Sequence, residues 1–473
     1  MVCHPQFAAA CQIVRTLREA GYEAWLAGGC VRDLLLGREP HDYDVATSAR
    51  PNVVLGMFER TFAVGAHFGV VLVSTSGVAC AIEAEAAPPQ VAQVVVEVAT
   101  FRSDGAYSDG RRPDAVRYTL SAAEDVQRRD FTINGMLLDP LAVQAEPEQS
   151  AQNDKQKLRS LVIDHVGGVA DLEAGVIRAI GDPDLRFDED HLRMLRGVRF
   201  AARLGFALEE QTAAAMCRLA AKTKAVSRER VRDELTRMLT EGQSRRAFEL
   251  LDETGLLVEV LPEIARMKGV EQPPQFHPEG DVWLHTLGLL GQLESNCSPT
   301  LAWGALLHDV GKPATFRRAE RIRFDGHVDV GVAVAAEICR RFRFSNDETR
   351  QILALVANHM RFIDAPRMKS STLKRFFRLE NFPEHLSLHR MDCLASKGGL
   401  ETWELVRERW LAMPEEVVRP QPLITGRELI AAGYTPGHRF KEMLHAVEEA
   451  QLEGSICTED EAINLILRHF PIL

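Results

Sequence analysis

A chain of 473 residues is too long for one ordinary hydrophobic core, so several domains are expected. Its 46% hydrophobic content belongs to a folded globular protein, and no apolar run approaches the roughly 20 residues of a membrane span. A net charge of -11 argues against long-range attraction to nucleic acid, yet arginines crowd at 111–129, 186–203, 228–246 and 361–378, leaving room for a basic cleft on an acidic body. Nine cysteines without CxxC spacing fit reduced thiols in a cytoplasm, and the N-terminus lacks the pattern of a signal peptide, so no membrane partner is expected.

In chain order, residues 7–20 predict an amphipathic helix ended by Gly21, and "YEAWLA" a strand. Gly28 and Gly29 make a tight turn, and "CVRDLLLG" a short helix that stops at Gly37. "DYDVAT", "FGVVLVST" and "VVVEVATF" read as further strands. Two insertions interrupt this region, the Ala-rich 79–93 and the polar 143–160, the second read as a flexible surface excursion. From about 185 onward helical periodicity dominates, and the segment 102–116 has the polar, glycine-containing character of a mobile loop. The fold class is therefore α+β: a head with a small mixed sheet (1–182), a helical neck (183–268), a helical body (269–400) and a helical tail (401–473).

Asp42 and Asp44 stand two residues apart on a predicted strand, so both project to one face while Tyr43 turns away. Two such carboxylates repel unless a cation lies between them, and Mg²⁺ is the usual partner in phosphoryl transfer. The neighbouring glycine turn opens a helix whose N–H groups suit a triphosphate, and Arg32 adds a fixed positive charge. A lone DxD is more often a solvated strand end; the combination with GG, VRD and a short helix reverses that preference.

"GGCVRDLLLG" followed by "HDYDVAT" resembles the head of the nucleotidyltransferase superfamily that includes DNA polymerase beta, and more narrowly the class II tRNA nucleotidyltransferases and bacterial poly(A) polymerases. The blocks "VATFRSDGAYSDGRRPDAVRY", "EDVQRRDFTINGM", "DPDLRFDEDHLRMLRGVRFAARLGF" and "VSRERVRDELTRML" follow in register. The resemblance implies that Gly29 and Arg32 contact the incoming nucleotide, that Asp42 and Asp44 hold the metals, and that Arg129 faces the nucleotide. Glu97 is either a third carboxylate or a structural glutamate. Asp130 and Asn134 either shape the sugar pocket and its loop or cap local turns.

Asp190, Arg193, Arg196 and Arg199 recur every third residue, which on a helix gives a slowly rotating stripe. An Asp accepts from an exocyclic amine and an Arg donates to ring nitrogens or carbonyls. Cytosine and adenine carry that amine on the pairing edge, so Asp190 and Arg193 can select CTP and ATP without a nucleic-acid template, the role the resemblance implies; Arg196 and Arg199 would contact phosphates or brace the pair.

His285, the adjacent pair His308 and Asp309, and Asp392 form a second constellation, joined by His327 and His359. Two polar groups inside an apolar helical run need a partner, and a divalent transition metal suits imidazole and carboxylate. The series resembles the HD phosphohydrolase superfamily, with His327 and His359 either ligands of a second metal or two of the chain's fifteen scattered histidines.

The expected function is template-independent addition of CCA to tRNA 3′ ends from CTP and ATP, with an A-adding enzyme or poly(A) polymerase as alternatives of the same class. A metal-dependent RNA-end phosphohydrolase with a non-catalytic head, and a non-catalytic RNA-binding protein, are the alternatives of other classes. The sequence leaves the oligomeric state undetermined.

Overall fold

The computed structural model describes residues 4–63, 69–76, 93–104, 116–144, 151–396 and 398–471. The chain divides into two compact units, Met1–Met238 with Arg246–Val260 and Leu239–Arg245 with Leu261–Leu473. Among the described residues no helix is long and apolar enough to cross a membrane.

The first unit opens on the helix Pro5–Glu19, which has proline in its first turn and buries Phe7, Ala10, Ile13, Val14 and Leu17 along one face. The strands are β1 (Ala24–Ala27), β2 (Val45–Thr47), β3 (Thr61–Phe62), β4 (Val70–Ser76), β5 (Gln93–Thr100), β6 (Arg102–Asp104), β7 (Val116–Tyr118), β8 (Met136–Leu138) and β9 (Val162–Asp164). One seven-stranded sheet runs β3-β4-β5-β2-β1-β8-β9, with β2 and β5 parallel and the other neighbours antiparallel. The strands β6 and β7 pair with each other. Alternation in β4 and β5 buries Val71, Val73, Val94, Val96 and Val98.

The acidic dyad does not lie within a strand. The ladder to β5 begins at Val45↔Val98, so Asp42 and Asp44 occupy the extended lead-in to β2, and only the Asp44 carbonyl reaches β1, accepting from Ala27 N at 3.0 Å. The expected alternation survives: Tyr43 is buried against the rings of His4 and Phe7. The polar stretch 143–160 is also different from the expected loose excursion, because its second part forms the helix Ala151–Ser160; its Gln, Lys and Arg are good helix formers. Residues 145–150, most of the 79–93 insertion and 105–115 of the expected loop lie outside the described residues.

The rest of the first unit is mainly helical, with Pro183–Glu189, Leu192–Leu204, Glu210–Leu219 and Arg228–Thr240 as its main pieces. The second unit carries Val282–Leu290, Pro299–Leu307, His327–Arg341, Asn346–Asn358 and Phe382–Ala395, followed by Glu401–Ala412, Arg439–Glu453 and Glu459–His469. Short strands break the expected all-helical pattern: β10 (Val176–Ile177) pairs with β11 (Ala207–Leu208), and β12 (Arg317–Arg318) with β13 (Ile322–Arg323). Val282–Leu290 and Pro299–Leu307 are apolar nearly all round and are buried nearly all round. They therefore carry their few polar residues, His285 among them, into the core.

Candidate active site and a buried histidine–aspartate centre

In the first unit the end of β1, the lead-in to β2, the turn at 128–135 and the helix Leu192–Leu204 enclose a cleft of about 410 Å³. Gly28 starts the turn at φ +79°, in the left-handed region; a Cβ there would lie 3.1 Å from Arg129 Nη1 and 4.0 Å from Asp44 Oδ2. Glycine thus lets a cation and a carboxylate approach the same stretch of backbone.

Asp44 is pushed up to about 6, by burial first, then by the charge of Glu97 against the pull of Arg129, and then by Asp42. Glu97 is raised by withdrawal from water and by Asp42. The parallel register of β2 and β5 brings Glu97 level with the dyad. Asp44 and Glu97 are both raised in part by neighbouring carboxylate charge, and together with Asp42 they offer the oxygen ligands that a hard divalent cation takes.

Opposite them runs a chain of hydrogen bonds. Arg32 is buried and donates to Asp33 at 2.8 Å and to Asn134 Oδ1 at 2.7 Å. Asn134 Nδ2 donates to Asp130 Oδ1 at 3.1 Å, and Arg196 Nε donates to Asp130 Oδ2 at 2.9 Å. Burial opposes the charge of Asp130, but Arg196 and Asn134 outweigh it and hold the carboxyl at about 2. Arg129 is steadied by Asp125 at 3.2 Å. Asp130 and Asn134 do more than cap turns, since they also line the cleft.

The predicted helical stripe is interrupted. Asp190 lies in extended backbone between two helices (φ −146°, ψ 104°), and the helix Leu192–Leu204 begins after it. The break frees its carboxylate to accept from Leu192 N at 3.1 Å and from both terminal nitrogens of Arg230. Arg193 and Arg196 line the cleft beside it. Arg199 lies behind them, 2.7 Å from the buried Glu234, with its guanidinium 4.4 Å from the Phe200 ring centre. Arg32 and Arg196 also approach that ring, each at 5.3 Å.

The sequence reading missed Arg230, Arg128 and Phe200 as lining residues. Glu234, an acid among the buried Val231, Leu235 and Met238, does demand a cationic partner, but that partner is Arg199 and not one of the three missed residues.

The second unit gathers the other constellation. His285 Nε2 lies 3.1 Å from Asp392 Oδ1 and 3.3 Å from His308 Nε2. His327 and His359 each place Nε2 3.7 Å from Asp309 Oδ1. The Nδ1 atoms of His308, His327 and His359 pair with the carbonyls of Ala305, Phe324 and Val356, and that of His285 with Glu279 at 2.9 Å. All four rings therefore turn Nε2 inward, and those of His327 and His359 are buried without a hydrogen-bond partner. The ligand atoms of the expected residues form two groups, His285–His308–Asp392 and Asp309–His327–His359, each within 4.8 Å, and a third, His277–Glu279–His285, shares His285. Orphaned imidazole nitrogens facing carboxylates fit divalent transition metals, and their fixed Nδ1 contacts are the usual support for metal-binding rings.

Burial opposes the charge of His285, but Asp392 and Glu279 raise it to about 9, whereas burial drives His359 down to about 4. Lys312 Nζ sits 2.6 Å from Asp309 and helps hold that carboxyl well below its usual range, against burial. Gly311 permits the assembly: a Cβ there would stand 2.1 Å from the His327 carbonyl oxygen. Glu279 and Lys312 were missed in the sequence, although Lys312 lies only three residues beyond Asp309.

Residues 24–178 match the family described as poly A polymerase head domain, 205–268 the probable RNA and SrmB-binding site of polymerase A, and 327–466 the putative tRNA nucleotidyltransferase domain 2. A CCA-adding enzyme of Geobacillus thermodenitrificans is 39% identical over 464 residues, which span 97% of this chain and 96% of the relative. The chain belongs to the CCA-adding enzyme family. A CCA-adding enzyme of Lactobacillus helveticus is 30% identical over 465 residues, covering 98% of this chain and 96% of its own length. The crystal structure of the Bacillus stearothermophilus CCA-adding enzyme in complex with CTP aligns with a TM-score of 0.70 at 27% identity, over 98% of each chain.

Within this CCA-adding family member, the carboxylate trio and the 128–135 turn fall inside the matched head. Asp190 and Arg193 fall between the first two matched stretches. His285, His308 and Asp309 lie between the second and third, while His327, His359 and Asp392 fall within the third.

Proposed function

We propose that this chain adds CCA to the 3′ end of tRNA, taking CTP and ATP and releasing pyrophosphate, in the cytoplasm. The observation that carries this reading is the cleft in which Asp44 and the Gly28–Gly29 turn stand together with Asp190 and Arg193. Full-length relatives named CCA-adding enzymes, one of them solved with CTP, support it over the A-adding and poly(A) alternatives.

Asp42, Asp44 and Glu97 would hold Mg²⁺, which when bound activates the RNA 3′-hydroxyl and neutralises charge on the triphosphate. Arg32 and Arg129, both fixed by other side chains, bind phosphate oxygens beside the glycine turn. The Asp190 carboxylate accepts from the exocyclic amine of cytosine or adenine. Arg193 spends Nη1 hydrogens on Arg186 O and Glu189 and one Nη2 hydrogen on Arg128 O, leaving two of its five donors for a base. Asp130, Asn134, Arg196 and Arg199 hold this frame.

The deciding assay is extension of a tRNA transcript that ends at the discriminator base. Addition of CC with CTP alone, completed by A when ATP is present, is expected. Addition of A only to a transcript already ending in CC, or long A tails on unrelated RNA, would replace the reading by one of its alternatives.

A second activity is favoured by the inward-turned imidazoles. The HD residues His285, His308, Asp309 and Asp392, with His327 and His359, would hold one or two divalent transition metals, which when bound support hydrolysis of a phosphate ester or cyclic phosphate at an RNA end. Lys312 balances the charge of Asp309, and Glu279 orients His285. Absence of metal-dependent hydrolysis of 2′,3′-cyclic phosphates in the wild type would remove this second activity and leave the first.

A further inference from the structure

A small open pocket of about 240 Å³ adjoins the histidine–aspartate centre and ends on His327. One wall is the 273–276 turn, with Phe276 at its tip, and the other is β13 with Arg321, Arg323 and Phe324. The walls are tied together at their base: Glu271 pairs with Arg318 at 3.1 Å, and Lys312 Nζ donates to Gln272 at 2.8 Å. The pocket is therefore braced on both sides.

Its chemistry is mixed in a specific way. Phe276 is 62% exposed, so its ring is open to a ligand beside the buried polar centre. The Phe324 ring is already engaged, with Lys312 Nζ 5.4 Å from its centre and Phe316 at 6.0 Å. Arg321 and Arg323 are exposed, and no ion pair engages either among the described residues. Asp325 is the acid on the rim and repels an anion from that edge, so a phosphate is directed toward the arginines and His327.

We propose that this pocket is a nucleotide subsite: Phe276 stacks on a base, Arg321 and Arg323 bind phosphate, and the phosphoester is presented to the His327 side of the centre. An open aromatic face and free guanidinium groups are the two elements that recognise single-stranded nucleic acid and nucleotides without regard to base identity. A peptide carboxylate would satisfy the arginines but gives no reason for the planar platform. The subsite rests on the HD centre being a phosphoester site, and it adds the ligand class: a nucleoside phosphate, either free or as the last residue of an RNA.

The test is calorimetric titration of the full chain in Mn²⁺ with adenosine 3′-monophosphate, with base-free ribose 5-phosphate, and with a trinucleotide ending in a 3′-phosphate. Phe276 is on the surface, so Phe276→Ala leaves the fold intact, and the difference from wild type reports this pocket apart from the head cleft. Phe276→Ala is expected to weaken both base-containing ligands on the order of tenfold, with recovery in Phe276→Trp and no change for ribose 5-phosphate. Arg323→Gln is expected to weaken all three. Tighter binding of the trinucleotide assigns the site to RNA ends, and equal binding to free nucleotides. Unchanged affinities in Phe276→Ala, or an equal loss for ribose 5-phosphate, overturn the proposal. Hydrolysis of bis(p-nitrophenyl) phosphate is followed in parallel. Phe276-dependent binding without hydrolysis keeps the subsite and removes the hydrolase reading; hydrolysis with Phe276-independent binding does the reverse.

Discussion

Arg230 grips Asp190 with both terminal nitrogens, at 2.7 and 3.3 Å. The acid proposed to read the base is thereby held by a cation from the helix Arg228–Thr240, forty residues further along the chain. Losing a hydrogen bond to a charged group costs about 1.5–3 kcal/mol, so Arg230→Ala should lower kcat/KM for CTP roughly tenfold or more. Steady-state kinetics with all four nucleotides checks this. Discrimination against UTP should fall in parallel, and an unchanged CTP/UTP ratio would separate Arg230 from base selection.

Replacement of Asp44 tests catalysis and stability together. Asp42→Ala and Asp44→Asn should both abolish nucleotide transfer with the fold retained. An acid raised from 3.8 to about 6 on folding favours the native state at low pH, and that contribution is lost as pH climbs from about 4 through 6. In EDTA, Asp44→Asn should therefore match wild type near pH 4 and exceed it at pH 8 by about 3 kcal/mol at most. Urea denaturation at the two pH values measures the gap.

Asp130 has the opposite sign. Its carboxyl drops from 3.8 to about 2 on folding, so its contribution is present above pH 4 and is lost as pH falls toward 2. The shift corresponds to about 2 kcal/mol. Asp130→Asn should cost at least that much at pH 7, because it also takes from Arg196 the nearer of its two acidic partners, Asp130 and Glu234. Denaturant titrations at pH 7 and pH 3 should show the deficit shrinking on acidification.

Metal loading is the direct check on the second unit. Elemental analysis of the wild type should find a divalent transition metal that is lost in His308→Ala, while tRNA extension persists. A hundredfold excess of metal over its Kd stabilises the native state by about 2.7 kcal/mol, so chelation should lower Tm. Gly311→Ala should mimic the metal-free protein, since the added methyl has no space beside the His327 carbonyl.

The parts of this molecule legible in the sequence were those carried by local spacing. The Gly28–Gly29 turn, the two-residue step from Asp42 to Asp44, and the HD pair inside an apolar run could each be read from neighbours along the chain. Less legible was whatever depended on where a ladder or helix stops. The strand β2 starts one residue after Asp44 because its pairing with β5 starts there, and Asp190 leaves the helical stripe because the chain is extended at that point. Juxtapositions of distant segments, such as the ion pair of Arg230 with Asp190 or the placing of Phe276 and Arg323 on one pocket, have no local signature at all.

The Asp130 carboxylate has one oxygen on Asn134 and the other on Arg196. Asn134 belongs to the turn that also holds Arg32, and Arg196 to the helix that carries Arg193. A rotation of that helix against the turn would have to part a strongly ionised acid from one of its two partners. The frame proposed to choose the base and the frame proposed to cradle the phosphates are thus mechanically a single body. On the proposed function, successive choices between cytosine and adenine would then fall to the swing of individual side chains, with the scaffold around them kept stiff.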